Sequence, residues 1–141
     1  RWLLFVDRIA TGSDEILIQK HAGGSSILDA EIQVTNEDGL QQQPSAVVDS
    51  NGKFHMVYVS TSTPRRSVRY IRYDPQAQFV EHEVNLTEEL SGTWNRPVIT
   101  MDGCGVIYVV WEDSISLTEG QLHFTTTLPT ANASRAWTGY R

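Results

Sequence analysis

The chain has 141 residues, enough for one domain, and 40% of them are apolar, enough to build a core. Its 11 basic and 17 acidic residues leave a net charge of −6 without any Lys/Arg block, which speaks against nucleic acid or an anionic membrane as a partner. No apolar run reaches the roughly 18 residues of a membrane-spanning helix, and the lone Cys104 excludes an internal disulfide and a Cys-rich zinc site.

The chain opens on Arg1 and the strand-like "WLLFV", with neither initiator methionine nor signal peptide, as a processed chain or a piece of a longer one would. Runs rich in Val, Ile, Tyr and Phe predict strands at 2–7, 15–20 and 28–34. Four more follow at 44–49, 53–60, 67–73 and 79–85, and a last four at 97–102, 105–112, 121–127 and 133–139. No segment carries a helical period. The prediction is all-β.

These eleven strands are copies of one unit. A shift of 53 residues lays Pro44 on Pro97, Asp49 on Asp102, Gly52 on Gly105 and Tyr58 on Trp111. The same step backwards brings Phe5 to Tyr58 and Ile18 to Ile71, which falls on Phe124, so that "EILIQ", "VRYIR" and "QLHFT" superpose without a gap. On that alignment Ile16 and Ile18, Arg69 and Ile71, and Leu122 and Phe124 each share one strand face. The domain 1–141 divides into repeats of about 1–43, 44–96 and 97–141, and the first strand of the first repeat would precede Arg1. "DSNG" and "DGCG" read as equivalent hairpin turns, in which Asp caps backbone amides and Gly52 or Gly105 supplies positive φ.

Three places stand out as chemistry. Trp94, Asn95 and Arg96 fall on Gln41, Gln42 and Gln43 of the preceding repeat, so the third copy has changed character there. Trp can stack on a sugar face and Arg can clamp a carboxylate; alternatively, Trp94 plugs the join between repeats. Glu112 and Asp113 close a strand where the second copy has Val59 and Ser60, and paired carboxylates can work on a glycosidic bond. Being adjacent on a strand, they point to opposite faces and are not expected to act as one pair. "TPRR" (63–66), with Arg69 and Arg72, reads as a charged loop with strand-edge arginines. His21, His55, His82 and His123 have no metal-ligand spacing, and neither a metal nor a cofactor is expected.

Four strands per repeat, a leading Pro, an Asp-turn-Gly hairpin and an aromatic closing the second strand make the chain resemble a β-propeller. It most resembles the sialidase-like, BNR-repeat-like families of secreted glycosidases and lectins. The resemblance implies four-stranded antiparallel blades, here fewer than three, and an extracellular or periplasmic compartment, which the residues themselves leave open. The family's Asp-box is not intact: in "TEELSGTW" (87–94), Thr87, Thr93 and Trp94 fit, while Glu89 and Ser91 replace the expected Asp and Gly. A β-trefoil, with three four-stranded repeats in a similar length, is the alternative fold.

The expected function is a carbohydrate-binding propeller module, lectin-like or part of a sialidase-like hydrolase, with a glycan or acidic sugar as ligand. Binding is favoured over catalysis, because the resemblance implies that an arginine triad, a general acid and a Tyr/Glu nucleophile come from several blades. The competing function is a structural or protein-interaction scaffold. A partial propeller also leaves apolar flanks, so self-association, or completion by the rest of a longer propeller, is expected.

Overall fold

The computed structural model describes residues 1–21, 29–62, 66–88, 90, 92–114, 119–127 and 137–138. Among these residues there are eleven strands and no helix. The first sheet contains β1 (Trp2–Ala10), β2 (Ser13–Lys20) and β3 (Ile32–Gln33). The second contains β4 (Gln41–Val48), β5 (Phe54–Ser60), β6 (Ser67–Asp74) and β7 (Phe79–Asn85). The third contains β8 (Trp94–Met101), β9 (Ile107–Ser114), β10 (Gly120–Thr127) and β11 (Trp137–Thr138). Each is an antiparallel meander in which consecutive strands are neighbours.

Hydrogen-bonded ladders stay within one sheet, apart from an isolated parallel bridge between Asp14 of β2 and Leu40, just before β4. The described strands thus form three separate sheets, not the shared barrel on which a trefoil depends. Two apolar layers join the sheets in chain order. Ile16, Ile18 and Val34 of the first repeat meet Phe54, Met56, Tyr58, Ile71 and Tyr73 of the second sheet. From the opposite face of that sheet, Val57, Val68 and Tyr70 meet Trp94, Ile99, Ile107, Val109 and Trp111 of the third. A sheet with apolar layers on both sides needs strands that are apolar on both faces, and β5 is buried along its whole length.

The hairpins repeat atom for atom. Asp49 Oδ1 accepts the amides of Asn51 (2.8 Å) and Lys53 (2.9 Å), and Asp102 Oδ1 accepts those of Cys104 and Val106 (both 2.9 Å). Gly52 and Gly105 close these turns at φ 79° and 77°. The second carboxylate oxygen has a partner in both copies: His55 Nε2 lies 3.3 Å from Asp49 Oδ2, and Tyr108 donates to Asp102 Oδ2 at 3.0 Å.

Two expectations need correction. The shift of 53 does not hold for the third strand of each repeat. Phe5 pairs with Leu17, Tyr58 with Arg69 and Trp111 with His123, so the connection is one residue shorter in the second copy. Tyr70, not Ile71, is therefore the counterpart of Ile18 and Phe124, and Ile71 faces the first sheet. The second correction is to the strand starts. β4 and β8 begin at Gln41 and Trp94, upstream of the prolines. A bulge lies between Gln42 and Ser45 and another between Asn95 and Val98, with Gln43 at φ 53° and Arg96 at φ 48°. Proline cannot donate to the ladder, and the bulge lets pairing resume on its far side.

Candidate functional site

The bulges and the C-terminal ends of β1, β5 and β9 lie at one end of the sheets, opposite the Asp-Gly hairpins. At that end of the third sheet the five candidate residues come together. Trp94 pairs with Asp113 across β8 and β9, and Asn95 pairs with Glu112. Extended pairing upstream of the bulge makes them neighbours, although they lie far apart in sequence.

Their roles separate sharply. Trp94 is 2% exposed and belongs to the core between the second and third sheets. Its ring meets His123 edge-on at 5.3 Å, and His123 in turn stacks on Trp111 at 5.7 Å. A ring enclosed in this way has no face to offer a sugar, so the position supports the plug between repeats and not the stacking plate. Asn95 is a junction: its Oδ1 accepts Arg66 NH2 at 2.6 Å, while its Nδ2 donates to the Thr93 carbonyl and Ser114 Oγ, both at 3.1 Å. Arg66 also donates through Nε to the Trp94 carbonyl at 2.6 Å, tying the second sheet to the third. Partial burial pushes its guanidinium pKa down. Residues 63–65 of "TPRR", and Glu89 and Ser91 of "TEELSGTW", lie outside the described residues.

Arg96 is the solvent-facing member, with its side chain 78% exposed. Its NH1 donates to Glu112 Oε2 at 3.1 Å, and its backbone amide donates to Gln43 Oε1 at 2.7 Å. The left-handed bulge thus presents Gln43 in one copy and Arg96 in the next, linked side by side. Asp113 turns away from Glu112, and its Oδ1 accepts the Thr93 amide at 2.8 Å. The two carboxylates are separated by strand alternation, as expected for adjacent residues.

The sequence reading missed a buried polar network between the first and second sheets. Glu15, 1% exposed, accepts Ser13 Oγ (2.7 Å), Thr35 Oγ1 (2.6 Å) and the Glu37 amide (3.3 Å). Glu37 continues the network to Ser62 Oγ at 3.2 Å and lies 3.8 Å from Arg69. Burial opposes the Arg69 charge, but Glu83 and Glu37 outweigh it and raise the pKa. Burial and the same two carboxylates push the Tyr58 phenol far up, and its hydroxyl donates to Glu37 Oε1 at 3.5 Å. The only signal in the sequence was Glu15 at the head of the apolar run "EILI".

At the opposite end, an open cleft of about 400 Å³ between the first two sheets is lined by Trp2, Lys20, Asp29, Ile32, Val48 and Pro75, among others. The Lys20 ammonium lies 6.0 Å from the Trp2 ring centre. No group of three or more His, Cys, Asp or Glu among the described residues is arranged to hold a metal ion.

Neither a protein-family model nor a curated protein matches the sequence. Among solved structures, the fold is similar to that of an endo-1,4-β-xylanase from Bacteroides thetaiotaomicron, with a TM-score of 0.51 and 10% identity. The match covers 96% of this chain and 52% of the xylanase, so the chain spans about half the length of that enzyme. At this identity the likeness is one of fold.

Proposed function

We propose that the chain is a carbohydrate-binding unit built of propeller-type blades, either lectin-like or the binding part of a sialidase-like glycoside hydrolase. Three meandering sheets stacked in chain order support the blade reading. So does the contact between their leading strands, where Ser45 Oγ accepts the Ile99 amide at 3.3 Å. The fold similarity to a xylanase makes xylo-oligosaccharides reasonable first probes.

The observation that carries the binding reading is a double departure from the repeat. Gln43 and Val59 in the second copy become Arg96 and Glu112 in the third, and these two join in one exposed ion pair. An exposed pair contributes only about 0–1 kcal/mol to stability, so the fold gains little from it. An exposed guanidinium steadied by a carboxylate can receive the carboxylate and hydroxyls of an acidic sugar. Catalysis is not part of the proposal, since Glu112 is committed to Arg96 and Asp113 to the Thr93 amide.

The test is an NMR titration of the folded chain with neutral xylo-oligosaccharides and with uronic-acid-bearing ones. Saturable shifts around Asn95, Arg96 and Glu112, stronger for the acidic series and lost in Arg96→Ala, are expected. Absence of binding to both series at millimolar glycan would overturn the reading. It would favour the competing scaffold function, which the exposed apolar face of the third sheet supports.

A further inference from the structure

One row of residues across the strands can be followed through all three sheets. In the first sheet it is Leu4, Ile18 and Ile32, paired in register across β1, β2 and β3. This row packs onto the second sheet. The corresponding row of the second sheet, Val57, Tyr70 and Val84, packs onto the third, with Val57 0% and Tyr70 4% exposed. In the third sheet the row is Val98, Val110 and Phe124, again paired in register. Among the described residues nothing covers it: Val98 is 58%, Val110 36% and Phe124 42% exposed, and Leu122, on the same face, is 73% exposed. The chemistry that closes two joints inside the molecule is thus presented a third time with no partner sheet among the described residues.

The other half of the joint is open along β1. Inside the molecule each such row is received by the opposite face of the next sheet, as by Phe54, Met56 and Tyr58 on the second. On the first sheet, Trp2, Leu4 and Val6 point inward, so strand alternation puts Leu3 and Phe5 on the outer face. These are the residues that a shift of 53 lays on Met56 and Tyr58. Leu3 is 47% exposed and Phe5 partly exposed, while Leu17, paired with Phe5 on the same face, is 4% exposed.

We propose that the outer face of the third sheet docks on the outer face of the first sheet of a second copy of this chain, head to tail. The contact would repeat the two sheet-to-sheet joints already present. It is heterologous, joining unlike surfaces, so each copy keeps one free face and association continues until a ring closes or a chain of copies grows. An isologous dimer would instead bury like against like and leave the first sheet uninvolved.

Sedimentation velocity over a wide micromolar concentration range tests this with three chains: the parent, Leu122→Lys/Phe124→Lys, and Leu3→Lys. All substituted residues are exposed, and circular dichroism with thermal melting verifies that each variant is folded. The parent should gain mass with concentration beyond a dimer or to a closed ring. Each variant should associate about tenfold or more weakly than the parent, as expected when a lysine is forced into an apolar joint. Mixing the two variants should restore one-to-one dimers, because each still carries the half that the other has lost, and these dimers should grow no further. A parent that stays monomeric throughout would overturn the proposal. So would a Leu3→Lys chain that associates like the parent, or folded variants whose mixture fails to pair.

Discussion

The loop ends of the second and third sheets share a backbone and almost nothing else. Both enter through a bulge before a proline, and both hold a non-glycine residue in the left-handed region, Gln43 at φ 53° and Arg96 at φ 48°. Yet the second sheet offers Gln41, Gln42, Gln43, Val59 and Ser60 where the third has Trp94, Asn95, Arg96, Glu112 and Asp113. Because Gln43 adopts the same conformation, the unusual backbone at Arg96 belongs to the architecture and is no sign of a site. What distinguishes the third sheet is the side chains. Within them, the buried member and the exposed members carry different messages.

The largest effect should come from the buried member. Trp94→Ala removes a 2% exposed indole from the layer between the second and third sheets, where it meets His123 edge-on. A loss of about 3–5 kcal/mol is expected in urea denaturation, typical of a large aromatic truncated in a core. A loss below about 1 kcal/mol would mean that the ring is not a plug, and the contrast with Arg96 would collapse.

At the hairpin ends the two sheets are alike, and this likeness can also be broken. Gly52 sits at φ 79° with open space where a Cβ would stand, so Gly52→Val costs backbone strain alone, about 1–2 kcal/mol. Gly105→Val, at φ 77°, should fall in the same range. Unequal losses in thermal melting would show that the hairpins are not equivalent in energy. The turn aspartates extend the comparison to pH. Hydrogen bonds from the Val106 amide, the Tyr108 hydroxyl and the Cys104 amide hold the Asp102 carboxyl below its ordinary value of 3.8. Its contribution is therefore present above the unfolded value and is lost as pH falls through the depressed folded one. Asp102→Asn should be less stable at neutral pH and should lose less stability on acidification below about pH 4. An acid limb parallel to the parent's would exclude the carboxylate as its source.

How far the sequence could be read depended on what the repeat preserved. Strand number, sheet membership and hairpin chemistry were legible because Pro44 and Pro97, Asp49 and Asp102, and Gly52 and Gly105 stand at one spacing. The third strands were misaligned because the connection to Arg69 is one residue shorter, and the flanking apolar runs accept either register. The strand starts were misplaced because a proline reads as a beginning, whereas the bulge that bypasses it is a tertiary feature. The candidate residues were found as departures from the repeat, but departure does not reveal depth. Trp94 and Arg96 differ equally from their counterparts, and only pairing with Asp113 and Glu112 separates the core residue from the surface one. Glu15 and Glu37 escaped notice because their donors Ser13, Thr35 and Ser62 are brought to them by folding.

The smallest expected change in stability is the most informative about function. Arg96→Gln gives the third sheet the residue that the second already carries at the same φ, so the backbone has a precedent for it. The lost ion pair with Glu112 joins a side chain 78% exposed to one 29% exposed, and solvent screening makes such a pair weak. A stability change within about 0.5 kcal/mol is expected, since surface pairs of this kind contribute little. The Asn95 junction should persist, because its partners are Arg66, Thr93 and Ser114 and do not include Arg96. Affinity for an acidic oligosaccharide should nonetheless fall by about 1–3 kcal/mol, the range for removing a charge-assisted hydrogen-bond partner. Calorimetric titration beside a melting curve separates the two quantities. If stability and affinity are both unchanged, Arg96 is an exposed flank, and the glycan site must be sought away from this end of the third sheet.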